Sequence, residues 1–477
     1  MPSIRGAVLN IRDHRGLYFA TMEIQQITLN NVGLFKNLEI LLAPTNDSPS
    51  NITVFVGNNG AGKTSVLKAL TIALSWFTAR LLAEKGTGNP ISEDDILNTS
   101  NAASIEIEIC DFSNEPDNSS ENEIDDHFKW TLAKNRKGRK TQFTSSLNDC
   151  TRLANLYRNA LSNEEKTSLP LVAFYPVERT VLDIPLKIRT KHAFLQLDGY
   201  DNSLSQGVDF RRFFEWFRER EDTENELGIS QELLYELRSL AETNQNVWQL
   251  LNRYNASAKD RQLTAVRTAI HRFMPDMNNL RVHRKPRLHM AIDKNGETLN
   301  VAQLSQGEKS LMALVGDIAR RLAMLNPDLD NPLAGDGIVL IDEVDLHLHP
   351  SWQRSLCHRL LETFPNCQFV LTTHSPLIVS DCKNLLVYTL IDGGFQQLPS
   401  QYGQDANTVL LDVMDTSIRN EKIDTELNDL LDAIQDSKFT EAQQLLTELT
   451  KELPVNHLEL VKATLLLRKQ QLRHANH

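Results

Sequence analysis

Residues Asn51 to Leu67 read NITVFVGNNGAGKTSVL, and no other stretch narrows the possible folds as far. Ile52, Val54, Phe55 and Val56 form a short apolar, β-rich run. Gly57 to Thr64 then spell Gly-x-x-x-x-Gly-Lys-Thr, and helix-forming residues follow. A buried strand, a glycine-rich loop and a helix N-terminus, in that order, build a phosphate-binding loop. Gly57, Gly60 and Gly62 let the backbone curl so that its N–H groups face inward, and Asn58, Asn59 and Ala61 complete the cradle. The helix starting near Lys63 adds the positive end of its dipole. Lys63 would reach the β- and γ-phosphates of a nucleotide such as ATP, the Thr64 hydroxyl would bind Mg²⁺, and Ser65 follows in the same turn. A glycine turn that merely precedes a helix would not need this flanking pattern.

Composition narrows the remainder. The chain has 477 residues, enough for more than one compact unit. Its 41% hydrophobic and 23% charged residues are ordinary for a soluble globular protein. No apolar run is expected to approach the roughly 20 residues of a membrane span, and the N-terminus lacks the features of a signal peptide, so no membrane partner is expected. The five cysteines include no C-x-x-C pair, which points away from a disulfide framework or zinc site and toward a reducing cytoplasm. A net charge of -12 argues against wholesale coating of nucleic acid and leaves room for a local basic patch.

The chain divides by pattern. Residues 1–21 lack the alternation that begins at Met22 and read as an N-terminal tail. From Met22, EIQQITLNNVGLFKNLEILL predicts a strand, a turn and a second strand. Residues 22–203 form a first lobe around the phosphate loop, with strands also at Ser104–Phe112, Phe128–Ala133 and Leu171–Tyr175. An acidic, turn-rich loop is expected over Asn114–Asp126. The basic segment Lys134 to Lys140, KNRKGRK, reads as a charged hairpin tip, or as a contact to a phosphate backbone.

Residues 204–278 predict a helical insertion. Phe210, Phe213, Phe214 and Phe217 recur at helical spacing, as do Leu233, Leu234, Leu237 and Leu240, and Val247, Leu250 and Leu251. Residues 279–400 form a second lobe, and 401–477 a helical region with three apolar stripes. These are Leu427/Leu430/Leu431/Ile434, Phe439/Ala442/Leu445/Leu446/Leu449 and Leu458/Val461/Leu465/Leu466.

The second lobe carries the other half of a nucleotide site. Residues 337–343, GIVLIDE, are a buried-strand run ending in two carboxylates, where open α/β sheets place their ligands. Asp342 would hold Mg²⁺, and Glu343 would orient or deprotonate the attacking water. Leu304 to Lys309, LSQGEK, puts Ser305, Gln306 and Gly307 at a helix N-terminus, a second anion site. Phe369 to Pro376, FVLTTHSP, ends a strand at His374, which could hydrogen-bond a γ-phosphate.

Phosphate loop, long gap, LSQGE, Asp-Glu strand and strand-end histidine, in that order, resemble the ABC-type ATPase heads of SMC, RecF and OLD-like proteins over about residues 22–400. The resemblance implies an α/β P-loop NTPase with a helical insertion. It also implies a homodimer that sandwiches ATP, with Ser305 and Gly307 acting across the interface. The EVDLHLHPSWQ run, YPVER at Tyr175–Arg179, the DFxxFFEWF helix and the C-terminal helices further resemble the PtuA-type ATPases of Septu and retron-linked anti-phage systems. That resemblance implies a partner HNH nuclease and, in retron systems, a DNA–RNA molecule. Gln306 departs from the usual signature glycine, and neither Gln142 nor Gln196 fits the γ-phosphate-sensing glutamine. His347 and His349 suggest a metal less than they suggest interface contacts.

A RecF- or SMC-like repair ATPase would want a long coiled coil or strongly basic face. An OLD-like nuclease would want a TOPRIM domain of roughly 100 residues, more than follow Ser400. Intrinsic nuclease activity is therefore not expected.

Overall fold

The computed structural model describes residues 21–112, 126–163, 167–177, 194–205, 208, 210–227, 259–391, 393–414, 419–454 and 456–475. The chain separates into two compact units, with the division between Gln404 and Asp405. The expected tail over 1–20, most of the acidic loop, Glu178 and Arg179 of YPVER, and the leucine stripes between 228 and 258 lie outside the described residues.

The described residues of the first unit form three sheets, two of them large. Strands β1 (Met22–Val32) and β2 (Phe35–Leu41) pair antiparallel as the alternation of EIQQITLNNV requires, with Ile24, Ile27, Leu29 and Val32 turned to the core. They join β4 (Ala102–Asp111) and β5 (His127–Asn135) in the order β2-β1-β4-β5. The second sheet holds β3 (Ile52–Val56), β6 (Leu171–Tyr175), β10 (Gly337–Ile341), β11 (Cys367–Thr372), β12 (Leu386–Ile391) and β13 (Gly394–Leu398). Its order is β13-β12-β3-β11-β10-β6, parallel throughout except for β13. Every residue of β3, β6, β10 and β11 is buried, so these strands read as mostly apolar runs, broken by Thr53, Gln368 and Thr372.

Helix α1 (Lys63–Leu82) follows β3, with most of its residues buried. By length and apolar composition it could cross a membrane, contrary to the expectation that no such run exists. Its environment explains the composition, because a helix buried nearly all round in a core needs apolar residues on every face. Helix α2 (Asn148–Asn163), not among the elements expected above although Cys150, Leu153, Ala154 and Tyr157 recur at helical spacing, packs on α1 and β5.

In the expected insertion, α3 (Phe210–Leu227) buries Phe210, Phe213, Phe214, Trp216 and Phe217 completely, and α4 (Arg261–Phe273) lies beyond the undescribed segment. A three-stranded antiparallel sheet comes next: β7 (Met277–His283), β8 (His289–Lys294) and β9 (Glu297–Asn300). Helix α5 (Gln306–Leu325) then crosses the core. Its Asp317 accepts hydrogen bonds from Arg320, Arg321 and the Tyr175 hydroxyl, all fully buried. Arg321 also donates to the Gly199 and Asp201 carbonyls. Burial works against the Asp317 carboxylate, yet the two guanidiniums outweigh it and hold its pKa below the usual range. The network fastens α5 to the end of β6, which pairs with β10.

Helices α6 (Pro350–Thr363) and α7 (Pro376–Ser380) complete this unit. In the second, α8 (Ala406–Asp412), α9 (Glu421–Gln435), α10 (Phe439–Glu452) and α11 (Leu458–Ala475) form one more helix than the three expected stripes. The first two stripes contribute Leu427, Leu430, Ile434, Ala442 and Leu449 to the core. The third is corrected: α11 buries Leu460, Ala463 and Leu467 and leaves Leu458, Val461, Leu465 and Leu466 exposed. Both rows have helical spacing, and the small Ala463 lets the inward row approach its neighbours closely.

Candidate functional site

The ends of β3, β10 and β11 bring the expected residues together. The loop from Gly57 to Gly62 leaves Asn58, Asn59 and Gly60 exposed and Gly57, Ala61 and Gly62 half-buried. Gly62 is the N-cap of α1, with φ of 99° and no side-chain cap, so the first amides of this helix keep no side-chain acceptor. A Cβ there would lie 2.5 Å from the Phe35 ring, so only glycine fits both the backbone and the space. Lys63 is buried, and its Nζ donates to the Gly57 and Asn58 carbonyls at 2.7 and 3.1 Å. Burial lowers its pKa from the ordinary lysine value, while Glu343, Asp342 and Asp345 pull it back up. A phosphate could take over from the carbonyls as the ammonium's partner. Ser65 is half-buried beside Gly33 of the β1–β2 turn.

Asp342 is buried beyond β10. Its Oδ2 accepts from the Thr64 hydroxyl at 2.9 Å and its Oδ1 from the Thr372 hydroxyl at 2.5 Å. A hydroxyl and a carboxylate converging this closely are hard oxygen donors of the kind Mg²⁺ takes. The neighbouring Glu343 has a φ of 43°, a left-handed conformation uncommon for a residue with a Cβ. Its amide donates to Thr372 Oγ1 at 2.7 Å, which holds it in that conformation. Thr372 thus fixes both carboxylate residues from the adjacent strand.

His374 stands exposed at the end of β11. Its amide and the Thr373 hydroxyl both donate to Asp345 Oδ1, at 3.2 and 2.6 Å. Sequence reasoning missed Thr372 and Asp345. The only signal for either was its closeness to the motifs, since parallel pairing of β10 with β11 is what brings them into contact.

Ser305, Gln306 and Gly307 lie at the start of α5, where Ser305 is the N-cap. Ser305 Oγ accepts from the Glu308 amide, and Glu308 Oε2 accepts from the Ser305 amide and hydroxyl, a reciprocal capping box. Lys294 of β8 pairs with Glu308 Oε1 at 2.5 Å. Burial acts to raise the Glu308 pKa, but the bonds from Lys294 and Ser305 outweigh it and hold it low. A Cβ on Gly307 would fall 2.2 Å from the His347 carbonyl, and His347 itself has a φ of 64°. The signature therefore packs directly on the loop beyond Glu343. No described hydrogen bond links Ser305, Gln306 or Gly307 to residues 57–65 of the same chain.

His347 and His349 are both exposed, and His349 caps α6 by accepting from the Ser351 amide. Among the described residues no group of three or more His, Cys, Asp or Glu side chains is placed to hold a metal. Gln196 donates to the Thr167 and Leu325 carbonyls, a structural role, and Gln142 is exposed beside the β5 turn.

Comparison with known sequences gives concordant results. The family described as "AAA domain, putative AbiEii toxin, Type IV TA system" matches residues 52–380. The chain is 33% identical to "Retron Vc95 probable ATPase" of Vibrio cholerae serotype O1 biovar El Tor, over 82% of this chain and 80% of that one. It is 34% identical to "Retron Ec83 probable ATPase" of Escherichia coli, over 78% of this chain and 72% of that one. A shorter stretch is 36% identical to "Septu protein PtuA" of Bacillus mycoides (strain KBAB4), over 22% of this chain and 15% of that one.

Proposed function

This chain belongs to the AAA-domain family of P-loop ATPases that includes the retron ATPases, and from that premise we propose that it is a nucleotide-gated regulator of a partner HNH nuclease in anti-phage defence. The observation that carries the proposal is the convergence of Thr64, Asp342 and Thr372, with the Glu343 amide bonded to the same Thr372 hydroxyl. Lys63 would bind the β- and γ-phosphates of ATP, and Thr64 and Asp342 would hold Mg²⁺. The ion, when bound, offsets charge on the phosphate oxygens. Glu343 would take the proton of the attacking water, and His374 would hydrogen-bond the γ-phosphate. Ser305, Gln306 and Gly307 would meet the nucleotide of a second copy, so that ATP joins two heads and hydrolysis releases them.

The partner side of the proposal rests on α11. Leu458, Val461, Leu465, Leu466 and Leu472 form an exposed apolar row, with Lys462, Arg468, Lys469 and Arg473 around it. A nuclease subunit offering an apolar face with acidic flanks would cover it. A retron DNA–RNA molecule, or another nucleic acid, is the second proposed partner.

The test is co-purification with the nuclease encoded beside this gene. The native chain should retain the nuclease, and a chain ending before Glu421 should lose it while still binding ATP. The native chain alone, in ATP and Mg²⁺, should leave DNA and RNA intact. Cleavage by the purified chain, abolished by a point mutation within it, would overturn the regulatory reading. Retention of the nuclease after the truncation would move the dock elsewhere on the chain.

A further inference from the structure

Between Asp126 and Asp149 the chain carries no carboxylate and six Lys or Arg residues, in a protein whose net charge is -12. The segment is β5, an edge strand of its sheet, and the turn that leaves it. The strand segment facing this end of β5 is Ala102, Ala103 and Ser104 of β4, which adds no charge.

The turn is held in shape from both sides. Asn135 Oδ1 accepts from the Gln142 amide and Asn135 Nδ2 donates to the Phe143 carbonyl, closing the loop at its base. The Arg136 amide donates to the Asn101 carbonyl at 2.8 Å, and its guanidinium donates to the Ile96 and Ser100 carbonyls. At the tip Arg139 N donates to the Arg136 carbonyl, with Gly138 in the left-handed region at φ of 74°. One cation is thus spent on the scaffold, and Lys129 is paired with Glu106. The side chains of Lys134, Lys137, Arg139 and Lys140 have no hydrogen bond or ion pair among the described residues, and the last three are exposed. Most described arginines of the first unit, by contrast, have carboxylate or carbonyl partners, from Arg212 on Asp201 to Arg354 on Asp381.

We propose that the turn from Lys134 to Lys140 is a binding site for the phosphate backbone of a nucleic acid. A cluster of donors without acceptors among the described residues, carried on a turn whose backbone is held before the ligand arrives, suits a polyanion whose charges recur about every 3.4 Å along each strand. Thr141, Gln142 and Thr144 beside it are exposed and can donate to further phosphate oxygens. Phosphate oxygens recur whatever the base sequence, so the contact is backbone-directed and sequence-tolerant. Surrounded by an acidic molecule, it also fixes where on the surface a nucleic acid lands. The site deepens the second partner proposed above and uses none of the nucleotide-site residues.

The test is binding of fluorescein-labelled DNA and RNA of about 20 nucleotides, longer than the ~16 nucleotides of a large single-strand site, single-stranded and duplex. Fluorescence anisotropy would be followed from about 50 to 200 mM salt. The triple variant Lys137→Ala, Arg139→Ala, Lys140→Ala should bind at least about tenfold more weakly. Its salt slope should be shallower by roughly 2–3, the loss of three phosphate contacts. Lys137→Arg with Lys140→Arg, which conserves the charge, should keep native affinity and slope. ATP hydrolysis and the thermal midpoint should match the native chain in both variants, which separates this site from the nucleotide site and from misfolding. No binding by the native chain at the lowest salt, or an unchanged slope in the triple variant, would overturn the site. Nuclease activity that the native chain never gates, with nucleic-acid binding as expected, would count against the regulatory reading alone.

Discussion

The Thr64 hydroxyl donates to Oδ2 of Asp342 at 2.9 Å, joining residues 278 positions apart. The contact exists because β11 lies between β3 and β10, which sets the end of the phosphate-loop strand one strand away from the Asp-Glu strand. Thr372, at the end of the intervening strand, completes the link through Asp342 Oδ1.

Glu343 joins that link through its backbone, its amide donating to Thr372 Oγ1 at 2.7 Å. Glu343→Gln keeps the size and hydrogen bonding of the side chain and removes its basicity. Hydrolysis should fall by roughly 10²–10⁴-fold, with ATP affinity retained. Steady-state phosphate release set beside equilibrium nucleotide binding checks this, and a native hydrolysis rate would assign the base elsewhere.

Gly307→Ala puts a methyl group against the His347 carbonyl, where 2.2 Å of separation is not sterically possible. Either α5 or the 343–349 loop must shift, at a cost of about 1–3 kcal/mol for an overpacked contact. Hydrolysis should fall while ATP still binds residues 57–65. A thermal midpoint and a turnover both equal to those of the native chain would show that the contact is not tight.

The phosphate loop, the Asp-Glu strand and the β1–β2 pair are legible from local pattern, because each is a run whose periodicity or glycine spacing has one economical fold. Thr372 and Asp345 are not, since their importance comes from pairing between strands distant in sequence. The outward row on α11 reads as core from its spacing and is not. Amphipathic spacing identifies a helix face without saying which neighbour covers it, and Leu460, Ala463 and Leu467 offer an equally regular alternative.

Asp336 gives a pH dependence. Its Oδ2 accepts from the Met22 amide, and burial raises its carboxyl from the usual range to about 7. Unfolded, the group titrates near about 3.9. The folded state therefore binds the extra proton between these values, and stability falls as pH rises through this window. Asp336→Asn removes the titration and keeps an acceptor for Met22. The variant should gain about 1–2 kcal/mol over the native chain between about pH 5 and pH 8, the side chain being only partly withdrawn from solvent. Thermal midpoints at the two pH values measure it; an equal difference at both would place the titration outside that range.

Hydrolysis by mixed variants tests the composite site most directly. Lys63→Ala removes the charge that holds ATP in one copy, and Ser305→Arg blocks the signature that completes the site of the other. Each variant alone should be inactive. Mixed, with mixed dimers verified by tagged pull-down, they should recover part of the native rate, because one of the two sites then has both an intact Lys63 and an intact Ser305. Verified mixed dimers that stay inactive would contradict a site shared between two copies of this chain.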